Sequence, residues 1–347
     1  MPPFDALRAA PMLVLLAACA AAATFAILPP LTPLLRRYAL ARPNARSSHS
    51  SPTPQGGGAA VVGVALVLLG LVLALAPGVP AAERTSLLAL MAAAAVLAVL
   101  GAVDDVKPLP AAPRFLIQAV AVGAAVFAVP AEARVFPELL PSGLERALVV
   151  FAGLWFVNLT NFMDGLDWIT AAELTPVNAA LAWLAVLGVL PTAGGVVAAC
   201  VAGAMLGFAP FNRPVARLFL GDVGSLPLGL LTGYGLYRLA GAGHVLPALI
   251  LPLYYLADAT ITLLRRMAKG ERFWDAHRSH YYQRATVNGL TVMGVVTRVF
   301  IVNLSLAGVA VIVAVAFTPA RGMLAAALAA LCVAALLADF SQRRSKA

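Results

Sequence analysis

The sequence consists largely of long, uninterrupted apolar runs separated by short polar loops. About 20 apolar residues are enough for one helix to cross the hydrocarbon core of a bilayer, which is about 30 Å thick. With 62% hydrophobic and only 11% charged residues, the 347 residues have too little polar surface to cover a soluble globule. A transmembrane barrel is excluded because barrel strands alternate apolar and polar residues. The sequence therefore predicts an all-α, polytopic membrane bundle that forms a single domain over residues 1–347.

Hydropathy predicts about eleven spans. They lie near 11–35, 58–77, 85–103, 115–130, 147–160, 171–190, 192–210, 224–240, 245–264, 291–317 and 320–338. The segment Leu16–Cys19 resembles a lipoprotein cleavage box, but the apolar run continues to about Leu35. We therefore expect the first run to be a spanning helix, because a removed signal would not need that length.

The basic residues of the loops predict the orientation, since cytoplasmic loops carry an excess of Lys and Arg. One set of alternate loops holds 17 of the 24 Lys and Arg residues. The N-terminus is therefore expected outside and the C-terminus in the cytoplasm. The net charge of +9 is scattered over these loops, so it reflects topology and no nucleic-acid partner is expected.

Acidic residues mark two helix ends on the predicted cytoplasmic face. Asp104 and Asp105 end the third span, where the negative end of the helix dipole disfavours anions. A bound divalent cation or a nearby Lys or Arg would compensate; the alternative is a solvated helix end. Asp222, between Gly221 and Gly224, begins the eighth span and is expected to cap that helix, to face a metal-bound phosphate, or both.

A polar stripe follows the fifth span. Asn158, Asn161, Asp164 and Asp167 recur at every third residue, which would stack them along one side of a helical turn. This spacing favours a set of oxygen ligands for a metal or a nucleotide. The alternative is an Asx-rich turn in which Gly165 supplies backbone freedom.

Two further loops carry candidate anion-binding residues. The segment SSHSSPTPQGGG contains His49 and a glycine-rich entry to the second span, which indicates an anion site or, alternatively, a plain linker. The segment HRSHYYQRA groups His277, Arg278, His280 and Arg284. We interpret it as a diphosphate site, against the alternative of a basic stripe that faces lipid.

Taken in order, HSSPTPQGGG, DDVKPLPAAPRFLIQ, NLTNFMDGLD, FLGDVGS and HRSHYYQRA resemble the signature of the polyprenyl-phosphate N-acetylhexosamine-1-phosphate transferases. The likeness runs over about residues 47–285 and is closest to the bacterial branch that starts O-antigen and related surface glycans. It implies that UDP-N-acetylhexosamine and undecaprenyl phosphate react at the cytoplasmic face of the inner membrane, releasing UMP. It also implies Mg²⁺, or Mn²⁺ in its place, as cofactor. A homodimer is one option for the assembly.

The resemblance also implies roles for individual residues. Asp222 and Asn161 would be metal ligands. Asp104 and Asp105 would be the catalytic acids, acting as a base or instead placing the metal, since a phosphate monoester is already mostly dianionic at neutral pH. The substrate-binding residues would be Asp164, Asp167, Asn212, Phe219, His49, His277, Arg278 and His280.

Two residues depart from the family pattern. Gln55 stands where a basic residue is frequent, which removes one phosphate contact. Trp168 follows Asp167 where the family usually has glycine, which adds bulk at the entry to the next helix.

A multi-pass transporter or lipid flippase is the competing class. Such proteins place broken helices and charges near the bilayer midplane and show internal repeats, whereas here the acids gather at one interface and no repeat is seen. A binding or scaffold protein is the third class; it would show no turnover and no dependence on Asp222.

Overall fold

The computed structural model describes residues 3–41, 52–271, 278–316 and 318–344. A two-stranded antiparallel ladder joins β1 (Leu40–Ala41) to β2 (Thr53–Pro54), with Leu40 opposite Pro54 and Ala41 opposite Thr53. Otherwise the described regular structure is helical. The helices are α1 (Pro3–Tyr38), α2 (Gly58–Leu75), α3 (Ala81–Val106), α4 (Ala111–Phe127), α5 (Ser142–Met163), α6 (Ile169–Val186), α7 (Thr192–Phe208), α8 (Asp222–Gly241), α9 (Val245–Ile250), α10 (Leu253–Ala268), α11 (Tyr281–Val287), α12 (Val292–Ala316) and α13 (Pro319–Ser341).

The all-α membrane class predicted from the sequence is confirmed. Seven described helices are long and apolar enough to cross a membrane, namely α1, α2, α3, α5, α6, α12 and α13, while α4 and α7 are shorter apolar helices. The predicted ninth span over 245–264 is not one continuous helix in the structure. That segment is divided into α9 and α10 at Leu251 and Pro252, because proline has no amide hydrogen to continue the helical ladder. The number of crossings and their orientation stay predictions.

Helix α8 is surrounded by α2, α3, α5, α6 and α7. Glycines let the backbones touch at its N-terminal end. A Cβ atom on Gly101 of α3 would lie 2.2 Å from the carbonyl oxygen of Asp222. A Cβ on Gly58 of α2 would lie 2.2 Å from the Cα of Gly224. Small residues are the usual means of close helix packing in membranes, and here they fix the first turn of α8 against two neighbours.

The far ends of α3 and α8 are joined by a buried ion pair. Both terminal nitrogens of the Arg238 guanidinium donate to the Glu83 carboxylate, at 2.6 and 2.7 Å, and one of them also donates to the Tyr234 hydroxyl at 2.8 Å. Buried charges need such partners. The same two helices are therefore connected at both ends, because the opposite ends carry the acidic residues described next.

Candidate active site

The Asp105 carboxylate caps helix α8. Its two oxygens accept hydrogen bonds from the backbone amides of Asp222 and Val223, at 3.0 and 3.1 Å. The first amides of a helix have no partner within the helix and favour an anion. The sequence-based reading of Asp222 as the cap is therefore wrong: Gly221, with φ +76°, precedes the helix and the cap comes from α3.

Asp104 is held by different partners. Arg114 donates to one of its oxygens at 2.5 Å, and the backbone amide of Leu109 donates to the other at 2.6 Å. The expectation that a nearby cationic side chain would offset acids at this helix end is met by Arg114. The alternative of a plain solvated helix end does not hold, since only 8% of the Asp104 side chain is exposed.

Asp222 lies between Asp104 and Asn161. The amide nitrogen of Asn161 donates to an Asp222 oxygen at 2.7 Å and to the Ser225 hydroxyl at 2.9 Å. The carboxyl groups of Asp222 and Asp104 are themselves in hydrogen-bonding contact. Two carboxylates in contact repel each other unless a proton or a cation lies between them.

This arrangement fits a hard divalent cation. Among the described residues, no group of three or more His, Cys, Asp or Glu side chains is arranged around one point. Mg²⁺ does not need such a cage, because it keeps several waters and is usually bound by one or two carboxylates together with substrate phosphates. Asp222 with Asp104 supplies that set, and Arg114 offsets only one of the adjacent negative charges.

Asp164 stands at the C-terminal end of α5, close to this cluster. The Thr170 hydroxyl donates to it at 2.5 Å and contacts the Tyr255 hydroxyl at 3.2 Å. Desolvation raises the pKa of Asp164 from its usual 3.8 to about 7; the Thr170 hydrogen bond opposes this shift, and the charges of Asp105 and Asp167 add to it. A cation or a ligand donor near this carboxyl would favour its ionised form.

The single polar stripe predicted over residues 158–167 is wrong, because α5 ends at Met163 and the four side chains diverge. Asn158 donates to Gln118 on α4 at 2.8 Å, and Asn161 turns to α8. Asp167 is buried and accepts the backbone amide of Ala216 at 2.9 Å. The Asx-rich turn, the alternative reading, describes residues 164–168 better.

Trp168 has a left-handed backbone conformation, with φ +65°. Glycine adopts this conformation without cost, which gives a physical reason for the glycine that the resemblance leads us to expect at this position. The turn is held by Asn212, whose side-chain oxygen accepts the Trp168 amide at 2.7 Å and whose nitrogen donates to the Leu218 carbonyl at 2.9 Å. The Trp168 indole donates to the Ala209 carbonyl at 2.5 Å. Both polar atoms of Asn212 therefore hold the loop between α7 and α8.

The glycine-rich segment before α2 pairs with the segment before α8. The amides of Gly57 and Gly58 donate to the carbonyls of Phe219 and Leu220, both at 2.9 Å, and the Phe219 amide donates to the Pro54 carbonyl at 2.9 Å. The prediction that these amides are available to an anion is wrong for Gly57 and Gly58, because they are satisfied within the fold. Gln55 donates to the Asp105 carbonyl at 2.8 Å, so it joins this loop to the acidic pair.

The HRSHYYQRA segment is brought to the same end of the bundle. His280 is buried and its Nδ1 lies 3.3 Å from an oxygen of Asp258 on α10, while Arg278 is exposed. The Tyr282 hydroxyl donates to the Phe162 carbonyl at 3.0 Å, which docks α11 on the turn that carries Asp164. His49 and His277 lie outside the described residues.

The structure adds residues that the sequence reasoning did not select. Thr170 contacts Asp164 directly, and Tyr255 contacts the Thr170 hydroxyl. The Ser225 hydroxyl accepts a hydrogen bond from the Asn161 side-chain amide, which also donates to Asp222. Asp258 is a further such residue, an acid inside an otherwise apolar run. The available signal was the rule that a polar side chain in a membrane helix has a partner, but the partner's identity depends on helices far apart in sequence.

An apolar cavity of about 400 Å³ lies between α4, α5, α8, α9 and α10, and Asp104, Asp105, Asp164 and Asp222 are not among the residues that line it. Its wall includes Val122, Ala152, Gly233 and Leu256. Such a cavity suits a hydrocarbon chain.

Comparison with known proteins gives the family. The sequence profile described as glycosyl transferase family 4 matches residues 87–240. The Bacillus subtilis protein named "Probable undecaprenyl-phosphate N-acetylglucosaminyl 1-phosphate transferase" is 30% identical, over 75% of each chain. The Mycobacterium tuberculosis decaprenyl-phosphate N-acetylglucosaminephosphotransferase is 29% identical, over 72% of this chain and 69% of its own. The Deinococcus radiodurans phospho-N-acetylmuramoyl-pentapeptide-transferase is 30% identical, over 67% and 76%. The segment that matches the profile runs from α3 to α8 and contains Asp104, Asp105, Asn161 and Asp222. The chain therefore belongs to glycosyl transferase family 4, within the polyprenyl-phosphate N-acetylhexosamine-1-phosphate transferases.

Proposed function

We propose that this chain transfers N-acetylhexosamine 1-phosphate from a UDP-sugar to undecaprenyl phosphate and releases UMP. An oxygen of the lipid phosphate forms a bond to the sugar-bearing phosphorus, and the bond from that phosphorus to the bridging oxygen of UMP breaks. The observation that carries the proposal is the meeting of Asp104, Asp105, Asn161 and Asp222 at one end of the bundle. Two of the relatives are named for N-acetylglucosamine, which makes UDP-N-acetylglucosamine the first donor to test.

The metal in this proposal is Mg²⁺, with Mn²⁺ as a substitute, and Asp222 and Asp104 would hold it. When bound, it would supply a Lewis acid that neutralises charge on the diphosphate. Asn161 presents its amide nitrogen to Asp222, so we assign it to orienting this carboxylate. Asp105 fixes the same carboxylate from the other side through the α8 backbone.

A general base is not required for this reaction. The acceptor is a phosphate monoester with a second pKa near 6, so it is mostly dianionic at neutral pH and already nucleophilic. Both oxygens of Asp105 accept backbone amides, and both oxygens of Asp104 have donors. These contacts support positioning of α8 by Asp105 and metal binding by Asp104 over proton abstraction.

The remaining candidate residues would bind the donor. Asp164 and Asp167 lie on the turn next to the cluster, and half-buried Phe219 lies beside the glycine-rich loop, where its ring could stack on uracil. Asn212 would contribute indirectly, because its side chain holds the loop between α7 and α8 that precedes Asp222. Arg278 and His280 would meet the diphosphate or the sugar, since guanidinium groups bind phosphate oxygens well.

The setting of the reaction is also part of the proposal. The loop charges support an active site on the cytoplasmic face of the bacterial inner membrane. The apolar cavity between α4, α5 and α8 would receive part of the polyprenyl chain. The forms PTPQGGG and HRSHYYQRA favour the start of O-antigen or a similar surface glycan as the pathway served.

The test is UMP release by the purified full chain in detergent, with undecaprenyl phosphate, MgCl₂ and a panel of UDP-N-acetylhexosamines. We expect UMP that depends on both lipid and Mg²⁺. Asp222→Ala should lower the rate by at least about 100-fold, because it removes a charge that acts at the reacting phosphates. Glu132→Ala, at an exposed acid on the opposite side, is the matched control and should leave the rate unchanged. No UMP from any donor, with the protein folded, would refute the proposal.

A further inference from the structure

Asp258 is a fully buried carboxylate with an unusual number of donors. It lies in the second turn of α10, and its exposed fraction is 0%. The backbone amides of Tyr281 and Tyr282 donate to its two oxygens at 2.9 and 3.1 Å. Three side-chain groups lie 3.3 Å from the same carboxylate, namely His280 Nδ1 and the hydroxyls of Tyr254 and Thr262.

These contacts join two separate elements. Asp258 belongs to α10, whereas His280, Tyr281 and Tyr282 form the start of α11, more than twenty residues further along the chain. A buried carboxylate is costly without donors, and each charge-assisted bond is worth more than a neutral one. Asp258 therefore fixes where α11 begins and how the His280 ring is oriented.

Helix α11 in turn contacts the turn between α5 and α6. The fully buried Tyr282 donates through its hydroxyl to the Phe162 carbonyl. The neighbouring Gly165 is needed for this contact, because a Cβ there would lie 2.2 Å from the Tyr282 hydroxyl oxygen. A continuous set of contacts thus runs from Asp258 through α11 to the backbone beside Asp164.

We propose that Asp258 is a positioning residue, which places His280 and α11 against the nucleotide-sugar site. This inference rests on the proposed function. Asp258 does not itself touch substrate; it acts through His280, and Tyr282 anchors the helix that follows His280. Its loss should lower turnover because positional errors of about 1 Å at a reacting centre cost about 100-fold in rate.

The first variant is Asp258→Asn, which keeps the size but turns an amide NH₂ toward a backbone amide. We expect UMP release to fall about 30-fold, as for the loss of a charge-assisted hydrogen bond. Thr262→Val is the matched control, since it removes one hydroxyl donor and leaves the carboxylate and both α11 amides in place. Its rate should stay within about threefold of the unaltered chain.

A double-variant cycle separates positioning from a general loss of stability. If Asp258 acts through His280, Asp258→Asn combined with His280→Ala should be no more than about twofold slower than His280→Ala alone. A merely structural defect would multiply the two losses. Amide hydrogen exchange over residues 278–287 should also rise in Asp258→Asn and stay unchanged in Thr262→Val.

Each outcome has one meaning. Full activity of Asp258→Asn, or multiplied losses in the cycle, would overturn the positioning role and leave the proposed function intact. No UMP from the unaltered chain would overturn the proposed function and this inference with it. If Asp258→Asn does not fold, Tyr282→Phe tests the same route, because it removes only the hydroxyl that reaches Phe162. Its rate should fall about tenfold, and an unchanged rate would contradict the proposal.

Discussion

Replacing Gly101 with alanine should misplace the N-terminal end of α8, which carries Asp222. The new Cβ would lie 2.2 Å from the Asp222 carbonyl oxygen, 2.3 Å from its carbonyl carbon and 2.5 Å from the Val223 nitrogen. Ordinary contact needs about 3.4 Å, and all three atoms are backbone, so no side chain can rotate away. The first turn of α8 must therefore shift by about 1 Å. A shift of that size at a reacting centre costs about 100-fold in rate.

The assay is the initial rate of UMP release at saturating UDP-N-acetylglucosamine and undecaprenyl phosphate, with the folded fraction followed by size exclusion in detergent. The matched control is Gly63→Ala on α2, where a Cβ would meet nothing within 4 Å. Alanine is also the better helix former, so this control should keep full activity. A folded Gly101→Ala protein with a rate within about threefold of the unaltered chain would refute the reasoning.

Two further predictions concern the turn between α5 and α6. Trp168→Gly should be more stable than Trp168→Ala by about 1 kcal/mol, because both lack the indole and only alanine pays for the positive φ; equal unfolding midpoints in detergent would contradict this. Because the pKa of Asp164 is raised to about 7, this carboxyl is protonated below that pH and ionised above it. At a fixed, subsaturating Mg²⁺ concentration, UMP release should therefore increase as pH rises through about 7, and Asp164→Asn should flatten this limb. An identical pH profile in Asp164→Asn would show that Asp164 is not the group responsible.

Much of the fold follows from local sequence. Apolar runs of helical length identified the membrane bundle, and proline at position 252 explains why one predicted span is two helices. The polar stripe over residues 158–167 misled the prediction, because regular spacing stacks side chains only while the helix continues. It ends at Met163, and each later side chain finds its own partner.

The candidate site, too, could be predicted from local sequence only in part. The sequence identified Asp104, Asp105 and Asp222 as acids at helix ends, and the dipole argument correctly required compensation for the first two. It did not indicate that Asp105 would accept hydrogen bonds from the first amides of α8. Nor did it indicate that the amides of Gly57 and Gly58 would donate to carbonyls of the FLGD segment.

What the sequence determined alone was the membrane class, the grouping of the acids and the family signature, since these depend on composition, local spacing and motif order. What only the tertiary structure decided was which donor meets which acceptor. The Asp105 and Asp222 pair is separated by 117 positions, and the Asp258 contact with Tyr282 by 24. Such pairings depend on how helices pack and on which glycines allow backbones to touch. A buried polar group pairs with a suitable donor or acceptor that this packing places next to it, and local sequence does not identify that partner.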